Sequence, residues 1–273
     1  MLRRIFQRHI AIPTDHGSWV FLLSPLMIGI FAARTFKPAT GFLIICALCV
    51  FLVRQPLSIA VKSLSGRRSK RDLMPAAVWA FVYSVIGALS ALGLLFNGYS
   101  FILLLAIPGI IVFAFHLYLI YRRAERRQMG IEIVASGAIA LAAPAAYWVG
   151  IGYPEQNGWW LFILCWLQSA ASIVYAYLRL SQRDLQVMPS MADRFLLARR
   201  ALLYTGFNVI LAAFASVTGI LPKGLPLPFG LQFIEAIWGT INPAIGWKPT
   251  KIGIRQLIIN TIFTVLFIIT WNK

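Results

Sequence analysis

Residues 74–120 read MPAAVWAFVYSVIGALSALGLLFNGYSFILLLAIPGIIVFAFHLYLI. This stretch contains no lysine, arginine, aspartate or glutamate, and only the short segment FNGYS interrupts its apolar run. Each half is long enough to cross the hydrocarbon core of a bilayer as a helix, which takes about 20 mostly apolar residues. The stretch therefore predicts two transmembrane helices, near 74–95 and 99–120, joined by a tight turn.

Apolar runs of similar length occur along the rest of the chain. They fall near 18–35, 39–57, 131–151, 158–178, 199–219, 226–245 and 253–271. The run 226–245 is the weakest because it contains Pro226, Pro228 and Glu235, and Pro144 predicts a kink within 131–151. Together the runs predict an all-α fold, a polytopic membrane helix bundle of about nine transmembrane helices. No polar stretch is long enough for a soluble domain, so residues 1–273 are predicted to form a single integral membrane domain.

The composition agrees with a bilayer as the main solvent of the chain. The protein is 60% hydrophobic and only 12% charged, whereas a soluble domain has about 25% charged residues. Its net charge of +17 could indicate nucleic-acid binding, but membrane proteins also concentrate lysine and arginine in their cytoplasmic loops. The position of the basic residues therefore decides between the two interpretations.

Basic residues alternate along the chain with the predicted helices. If the N-terminus is cytoplasmic, all but four of the 25 lysines and arginines fall on the inner side. The exceptions are Arg34, Lys37, Lys223 and Lys273. This distribution predicts a multi-pass protein of the cell (plasma or inner) membrane with a basic cytoplasmic face, membrane lipids as partners and no nucleic-acid partner.

The segment before the first run combines a carboxylate with an imidazole. Thr14 or Asp15 is a natural N-cap for the first helix, because a side-chain oxygen there accepts a hydrogen bond from a free backbone N–H. His16 is a candidate proton carrier or a ligand for an anionic headgroup, since imidazole titrates near neutral pH. Asp15 and His16 are candidate substrate-binding residues, and His16 is also a candidate catalytic residue. Simple capping and a solvated interfacial histidine remain the alternatives.

Several other polar side chains lie where predicted helices meet the inner interface. Arg54, at the predicted end of the second helix, Lys62 and Arg179 are candidate substrate-binding residues, because basic side chains bind phosphate well. Snorkelling toward anionic lipid accounts for the same positions. His116, in the fourth run, and Asp184, beyond the sixth, are the remaining candidate catalytic residues.

The last helix is preceded by a second basic segment. Pro249 and Thr250 predict the start of this helix, with Thr250 as the N-cap. Lys251 and Arg255 are four residues apart, so they share a helix face where like charges repel. The free N–H groups of the first turn add to this positive end. Lys251 and Arg255 are therefore candidate residues for binding an anionic substrate.

Glu235 is the only acid well inside a predicted span. Ionisable groups at membrane depth usually face a cavity or a partner, so Glu235 is either a functional acid or a structural partner. With Asn208 and His116 it could line a transport path. The other acids are scattered singly among basic residues, and the three cysteines lie in apolar runs. The sequence therefore indicates no metal site and no cofactor.

Two short motifs resemble a known family. Pro13-Thr14-Asp15-His16-Gly17-Ser18-Trp19, followed by Leu22-Leu23-Ser24-Pro25-Leu26 and Gly29, resembles the N-terminal signature of YwiC-like bacterial membrane proteins. Lys248-Pro249-Thr250, with Gly253-Ile254-Arg255-Gln256, resembles their C-terminal signature. Asp15 stands where a glutamate is expected in that family. The resemblance implies a membrane protein but no particular activity.

The helix number and the basic inner face are also similar to the UbiA-type intramembrane prenyltransferases. That resemblance implies a bundle of nine helices with two aspartate-rich motifs in the cytoplasmic loops after helices two and six. The corresponding segments here run from Arg54 to Lys62 and from Arg179 to Asp184, and Asp184 is their only aspartate. The departure argues against metal-dependent prenyl transfer while leaving a UbiA-like architecture.

Three functions remain open at this point. The favoured one is binding or transfer of a prenyl or other lipid-like amphiphile, whose apolar tail lies between helices and whose anionic head contacts the basic inner face. The alternatives are a transporter of small solutes or ions and a non-catalytic accessory subunit of a membrane complex. The sequence leaves open whether the protein is an enzyme and which proteins it contacts.

Overall fold

The computed structural model describes residues 8–13, 16–124 and 128–272, except for the side chains of Arg8 and of residues 16–18. Asp15 therefore lies outside the described residues. The described part is all-α. Its helices are α1 (His16–Ala32), α2 (Pro38–Leu64), α3 (Leu73–Phe96), α4 (Ile102–Tyr121), α5 (Met129–Ala140), α6 (Ala142–Ile151), α7 (Gln156–Arg183), α8 (Met191–Val217), α9 (Pro226–Ile241) and α10 (Pro249–Trp271). A single turn at Arg8–Ala11 and a 3₁₀ turn at Lys70–Asp72 complete the helical elements of this part.

These helices confirm the predicted all-α membrane bundle. Within the described residues, 7 helices are long and apolar enough to cross a membrane when α5 and α6 are taken as one interrupted span. The segments that fall short are α1, whose apolar part is Trp19–Ala32, and α9, the weakest of the predicted runs. At about 1.5 Å per residue, α9 measures about 24 Å, which is less than the hydrocarbon thickness.

The interruption between α5 and α6 has a covalent cause. Pro144 has no backbone N–H, so the carbonyl of Ala140 cannot receive the usual helical hydrogen bond from it. The helix ends at Ala140 and resumes at Ala142 after a break at Leu141. The predicted distortion of this span is confirmed.

Several helix ends predicted at the basic side of the bundle are wrong because the helices are longer there. The second helix does not end near Arg54 but continues through Pro56 to Leu64. Basic residues are good helix formers and lie in the headgroup region, so the helices extend beyond their apolar runs. The last helix begins at Pro249 with Lys248, not Thr250, as its N-cap, because proline is well suited to the first helical position.

Helix α7 forms the centre of the bundle and is its most buried membrane helix. It packs against α1, α5, α6, α8, α9 and α10, while α2 packs mainly against α3 and also touches α4 and α6. Small residues bring helices close together: a Cβ added at Gly29 of α1 would collide with the carbonyl oxygen of Ala143 in α6. Such contacts are typical of helix packing in lipid.

Hydrogen bonds near the helix ends show which ends lie on the same side of the bundle. The Arg194 Nη1 donates to the carbonyl of Ile241 at 2.9 Å, which joins two ends predicted to be inner. The Thr35 Oγ1 donates to the carbonyl of Gly150 at 2.8 Å, which joins two ends predicted to be outer. This grouping agrees with the predicted alternation, and the assignment of the basic side to the cytoplasm remains a prediction of the positive-inside rule.

Candidate functional site

A stripe of polar side chains follows one face of α7. Its members recur at alternating steps of four and three residues, the spacing that keeps side chains on one helix face. They are buried: Gln168, Ser172, Tyr175, Arg179 and Gln182. This face meets α9 and α10, so the polar groups of three helices come together at the centre of the bundle.

Arg179 is the most deeply buried charge in this region, with 1% of its surface exposed. Its Nη1 donates to Gln182 Oε1 at 2.8 Å, to the carbonyl of Gly239 at 2.8 Å and to the carbonyl of Asn242 at 2.7 Å. All of these acceptors are uncharged. The two carbonyls belong to the last turn and C-cap of α9, so Arg179 supplies donors that the helix end lacks.

Cations and aromatic rings alternate around this arginine. The Arg179 guanidinium lies 5.4 Å from the ring centroid of Trp238 and 5.0 Å from that of Trp247. Trp238 also contacts Arg255, at 3.5 Å, and Trp247 contacts the Lys251 ammonium, at 4.0 Å. We call these five residues the cation–aromatic stack. Ring faces attract cations electrostatically but leave their charge uncompensated.

Glu235 supplies the carboxylate that contacts the stack. Arg255 binds it in a bidentate manner, with Nε 2.6 Å from Oε1 and Nη2 2.7 Å from Oε2. The Tyr175 hydroxyl donates to Oε1 at 2.8 Å. The side chain of Glu235 is only 7% exposed. Of the two interpretations of Glu235, the structure supports the structural partner, because both of its oxygens are engaged.

The stack therefore carries more positive than negative charge. Arg179, Arg255 and Lys251 contribute three cations, and the carboxylate of Glu235 is engaged by Arg255. The Arg179 Nη2 is buried and has no hydrogen-bond partner among the described residues. Glu235, the carboxylate near Arg179, is already bound by Arg255, and a buried cation whose charge is only partly compensated is costly. The arrangement therefore favours an anion beside Arg179.

A pocket of about 460 Å³ opens next to the stack, where the α9–α10 connection leads into α10. Its walls combine two ammonium groups, one indole and one apolar side chain with the start of a helix. They are formed by Gly246, Trp247, Lys248, Thr250, Lys251 and Ile254. Helix N-termini and ammonium groups both bind anions. The pocket therefore has the chemistry of a site for an anionic headgroup.

A second, uncharged layer lies deeper in the bundle, and we call it the polar core. The Gln168 Nε2 donates to Asn260 Oδ1 at 3.0 Å, and the Asn260 Nδ2 donates to Ser172 Oγ at 3.2 Å. The Gln232 Nε2 donates to the carbonyl of Gln168 at 3.0 Å. The polar core consists of Gln168, Ser172, Gln232 and Asn260.

Aromatic side chains border the polar core toward the outer end of α10. Phe229 contacts Phe263 with ring centroids 5.2 Å apart, and Phe263 contacts Phe267 at 5.9 Å. Each of these rings is 0% exposed. The polar groups therefore extend from the inner ends of the helices to about the middle of the bundle, where they give way to a phenylalanine cluster.

The structure brings together some predicted site residues and separates others. Arg179, Lys251 and Arg255 belong to one cluster. Lys251 and Arg255 share a helix face as predicted, but their charges diverge, one toward Trp247 and the other toward Glu235. The other predicted residues lie elsewhere: Arg54 and Lys62 on α2, His116 half-buried on α4, and Asp184 at the exposed end of α7, where it pairs with Arg183.

Helical register places the beginning of α1 at the same depth as this cluster. The Ser24 and Thr264 hydroxyls are hydrogen-bonded at 2.6 Å, and the Asn272 Nδ2 donates to the carbonyl of Phe31 at 3.2 Å. The sequence separations of these pairs are 240 and 241, so α1 and α10 run parallel with a constant offset. The same offset sets the backbone of His16 level with Gln256. The two motifs singled out in the sequence therefore lie at the same end of neighbouring helices.

Several residues of the cluster were not predicted. Gln168, Gln182 and Asn260 were missed, although the regular spacing of polar residues along α7 could have indicated the first two. Trp238 and Trp247 carry no local signal, because their role depends on α7 packing against the α9–α10 connection. Asn208, a candidate for a transport path, instead donates to the carbonyl of Leu167 at 3.0 Å.

A comparison with protein families matches the N-terminal part of the chain. The family model described as YwiC-like protein matches residues 12–147. The first half of this chain is YwiC-like. The YwiC-like region includes the N-terminal motif and extends from α1 into α6. The C-terminal motif and the cation–aromatic stack lie beyond the YwiC-like region.

A solved structure has the same fold over nearly the whole chain. It comes from work on the biosynthesis of digeranylgeranylglyceryl phosphate synthase in membranes, and it covers 98% of both chains with a TM-score of 0.60 at 13% identity. At this identity the likeness concerns the fold. It confirms the predicted membrane helix bundle and the UbiA-like fold that the resemblance implies. Among curated proteins, none matches this chain.

Proposed function

We propose that this protein binds a prenyl or other lipid-like amphiphile, with the anionic head of the ligand at the cation–aromatic stack and its apolar tail between or along the helices. The observation that carries the proposal is the buried Arg179, whose contacts in the described residues are all uncharged and whose Nη2 has no hydrogen-bond partner there. A phosphate supplies the missing acceptor and adds negative charge to that of Glu235, which Arg255 already binds.

The position of the pocket favours an amphiphile over a soluble anion. Lys248 and Lys251 line the pocket together with Ile254, which is 59% exposed. One helical turn further along α10, Ile258 is 53% exposed. In a bilayer these isoleucines face lipid, so an apolar tail can follow α10 while its head contacts the lysines. The UbiA-like fold adds support, because the similar solved structure belongs to an enzyme that acts on lipids.

The same observations weigh against the transport function. The polar groups end at the phenylalanine cluster, and the buried carboxylate of Glu235 is engaged by Arg255 and Tyr175. A set of polar groups that ends in the middle of the bundle suits a ligand that enters from the basic side and stays bound there. If a chemical step follows binding, His16 is the predicted catalytic residue to consider first. Helical register places its backbone at the same depth as the stack.

The proposal is tested by native mass spectrometry with lipid analysis of the protein purified in mild detergent, followed by titration with farnesyl phosphate. The variant Lys248→Gln/Lys251→Gln removes two pocket charges that do not contribute to the buried contacts of Arg179. Lys223→Gln, at an exposed position on the opposite side, is the matched control. We expect the wild type and the control to retain an anionic isoprenoid, and the double variant to bind farnesyl phosphate at least about tenfold more weakly, since a charge-assisted contact contributes roughly 1.5 kcal/mol or more.

Two results would contradict the proposal. The first is retention of bulk phospholipid alone in every variant. The second is equal affinity of the double variant and the control for farnesyl phosphate. Either would leave the accessory-subunit and transporter functions.

A further inference from the structure

We infer that the ligand of this site also carries an uncharged group that both donates and accepts a hydrogen bond, a hydroxyl or an amide, close to its anionic head. The inference rests on the proposed function and specifies the chemical class of the amphiphile. It is based on two amide side chains beside the Glu235–Arg255 ion pair that the charged part of the site does not use.

Gln232 provides an open acceptor. Its side chain is 6% exposed, and its Nε2 donates to the carbonyl of Gln168 at 3.0 Å. This donor contact determines which way the amide group is turned. The Gln232 Oε1 is buried and accepts no hydrogen bond from any residue that the structure describes.

Gln256 provides an open donor. Its Nε2 is likewise buried and has no partner within residues 8–13, 16–124 and 128–272. A buried amide group without a partner costs several kcal/mol in an apolar environment, more in lipid than at a wet protein surface. Two such groups near one ion pair therefore indicate a partner that enters from outside the chain.

The positions of the two amides relate them to the anion site. Gln232 precedes Glu235 by three residues on α9, and Gln256 directly follows Arg255 on α10. Gln232 therefore lies about one helical turn, or roughly 5 Å along α9, from Glu235, and Gln256 lies beside Arg255 on α10. If the phosphate of the ligand contacts Arg179 and the pocket lysines, we expect its next polar group to lie about one helical turn deeper, beside the two amides.

The chemistry of the open atoms limits what that group is. One acceptor and one donor are complementary to a hydroxyl or an amide, whereas a ketone only accepts and an ammonium only donates. Ordered water has the same capacity and is the alternative source of the missing bonds. A site built to bind a hydroxyl rejects an analogue that lacks it, because its own polar groups are then left unpaired.

The test compares two phosphorylated lipids that differ only at one oxygen, 3-hydroxyhexadecyl phosphate and 3-methoxyhexadecyl phosphate. Their affinities are measured for the full-length protein in detergent micelles, for Gln232→Leu and for the control Gln186→Leu, which changes an exposed glutamine in the α7–α8 connection. We expect the wild type and the control to bind the hydroxyl lipid about tenfold more tightly than the methoxy lipid, and Gln232→Leu to bind the two equally.

The outcomes separate this inference from the proposed function. If the wild type binds both lipids with equal affinity, the amides are satisfied by water only and the inference fails, while the anion site stands. If the wild type binds neither lipid, the proposed function fails as well. The ratio of the wild-type affinities for the two lipids is enough to reject the inference, so the test does not depend on the folding of Gln232→Leu.

Discussion

Arg179 connects the architecture of the site with its charge. Its Nη1 completes the hydrogen bonding of the α9 C-terminus through the carbonyls of Gly239 and Asn242, and its ring contacts fix Trp238 and Trp247 around it. Lysine could not replace it, because an ammonium lacks the planar fork that reaches several acceptors while stacking on rings. One buried residue thus holds the end of a helix and keeps an open donor at Nη2 for the proposed anion.

The ion pair beside this arginine leads to a prediction about stability. Arg255→Ala removes the partner of a nearly buried carboxylate, so we expect it to lower the free energy of unfolding by about 3 kcal/mol. Glu235→Gln combined with Arg255→Gln leaves no uncompensated charge and should cost less than Arg255→Ala alone. The measurement is reversible unfolding in mixed micelles, followed by circular dichroism.

The ion pair between Arg68 and Asp72 is the matched control, because the side chains of these residues are 31% and 23% exposed, respectively. Arg68→Ala should cost less than about 1 kcal/mol, because the carboxylate of Asp72 is partly solvated whereas that of Glu235 is only 7% exposed. Equal losses in Arg68→Ala and Arg255→Ala would show that the carboxylate of Glu235 is well solvated.

At the level of the helices, the sequence was sufficient to predict where the helices occur but not which helices pack against one another. Apolar length predicts each helix, and the missing N–H of Pro144 predicts the break in the fifth span. Helix ends were less predictable, because Arg54 and Lys62 are compatible with a helix although they interrupt the apolar run. The packing of α9 and α10 against the stripe on α7 depends on contacts between distant segments, which no local pattern contains.

Close packing between α1 and α6 gives a second prediction. A Cβ at Gly29 would collide with the carbonyl oxygen of Ala143 and lie 2.8 Å from the Cβ of Ala146. We expect Gly29→Ala to lower the free energy of unfolding by about 1–3 kcal/mol, because the two helices must move apart. Gly109→Ala in α4 is the control, since a Cβ there meets nothing within 4 Å and alanine improves helix propensity by up to about 1 kcal/mol. The comparison uses thermal unfolding, and similar midpoints for the two variants would refute the argument.

At the scale of the whole molecule, the apolar surface marks the part of the bundle that faces lipid, and the charged surface distinguishes its two ends. Lipid-facing side chains such as Phe81, Leu104 and Ile210, which are 68–70% exposed, surround the bundle, while the basic residues mark one end of it. The candidate site lies at this basic end. The charge pattern predicted the end at which the site occurs, but the identity of its residues required the packing of α7 with α9 and α10.

The orientation of the molecule is tested by cysteine labelling. Ser69→Cys, in the basic connection between α2 and α3, and Asn97→Cys, in the connection between α3 and α4, change exposed positions at opposite ends. Each is made in a chain whose native cysteines, Cys46, Cys49 and Cys165, are replaced by alanine. A membrane-impermeant maleimide added to intact cells should label the Asn97→Cys variant and not the Ser69→Cys variant. The opposite pattern would place the basic end and the anion site outside the cell.

The neighbourhood of α1 and α10 has a consequence for biosynthesis. The first and last helices are joined through Ser24 and Thr264, and α7 enters the membrane before α9 and α10 have been synthesised. During that interval the amide of Gln168 and the guanidinium of Arg179 lack the carbonyl and amide partners that these later helices supply. The nascent chain therefore depends on water or on the insertion machinery to shelter a polar helix until its C-terminal partners arrive, and a ribosome that stalls before α9 leaves an intermediate in which the charge of Arg179 lacks these partners.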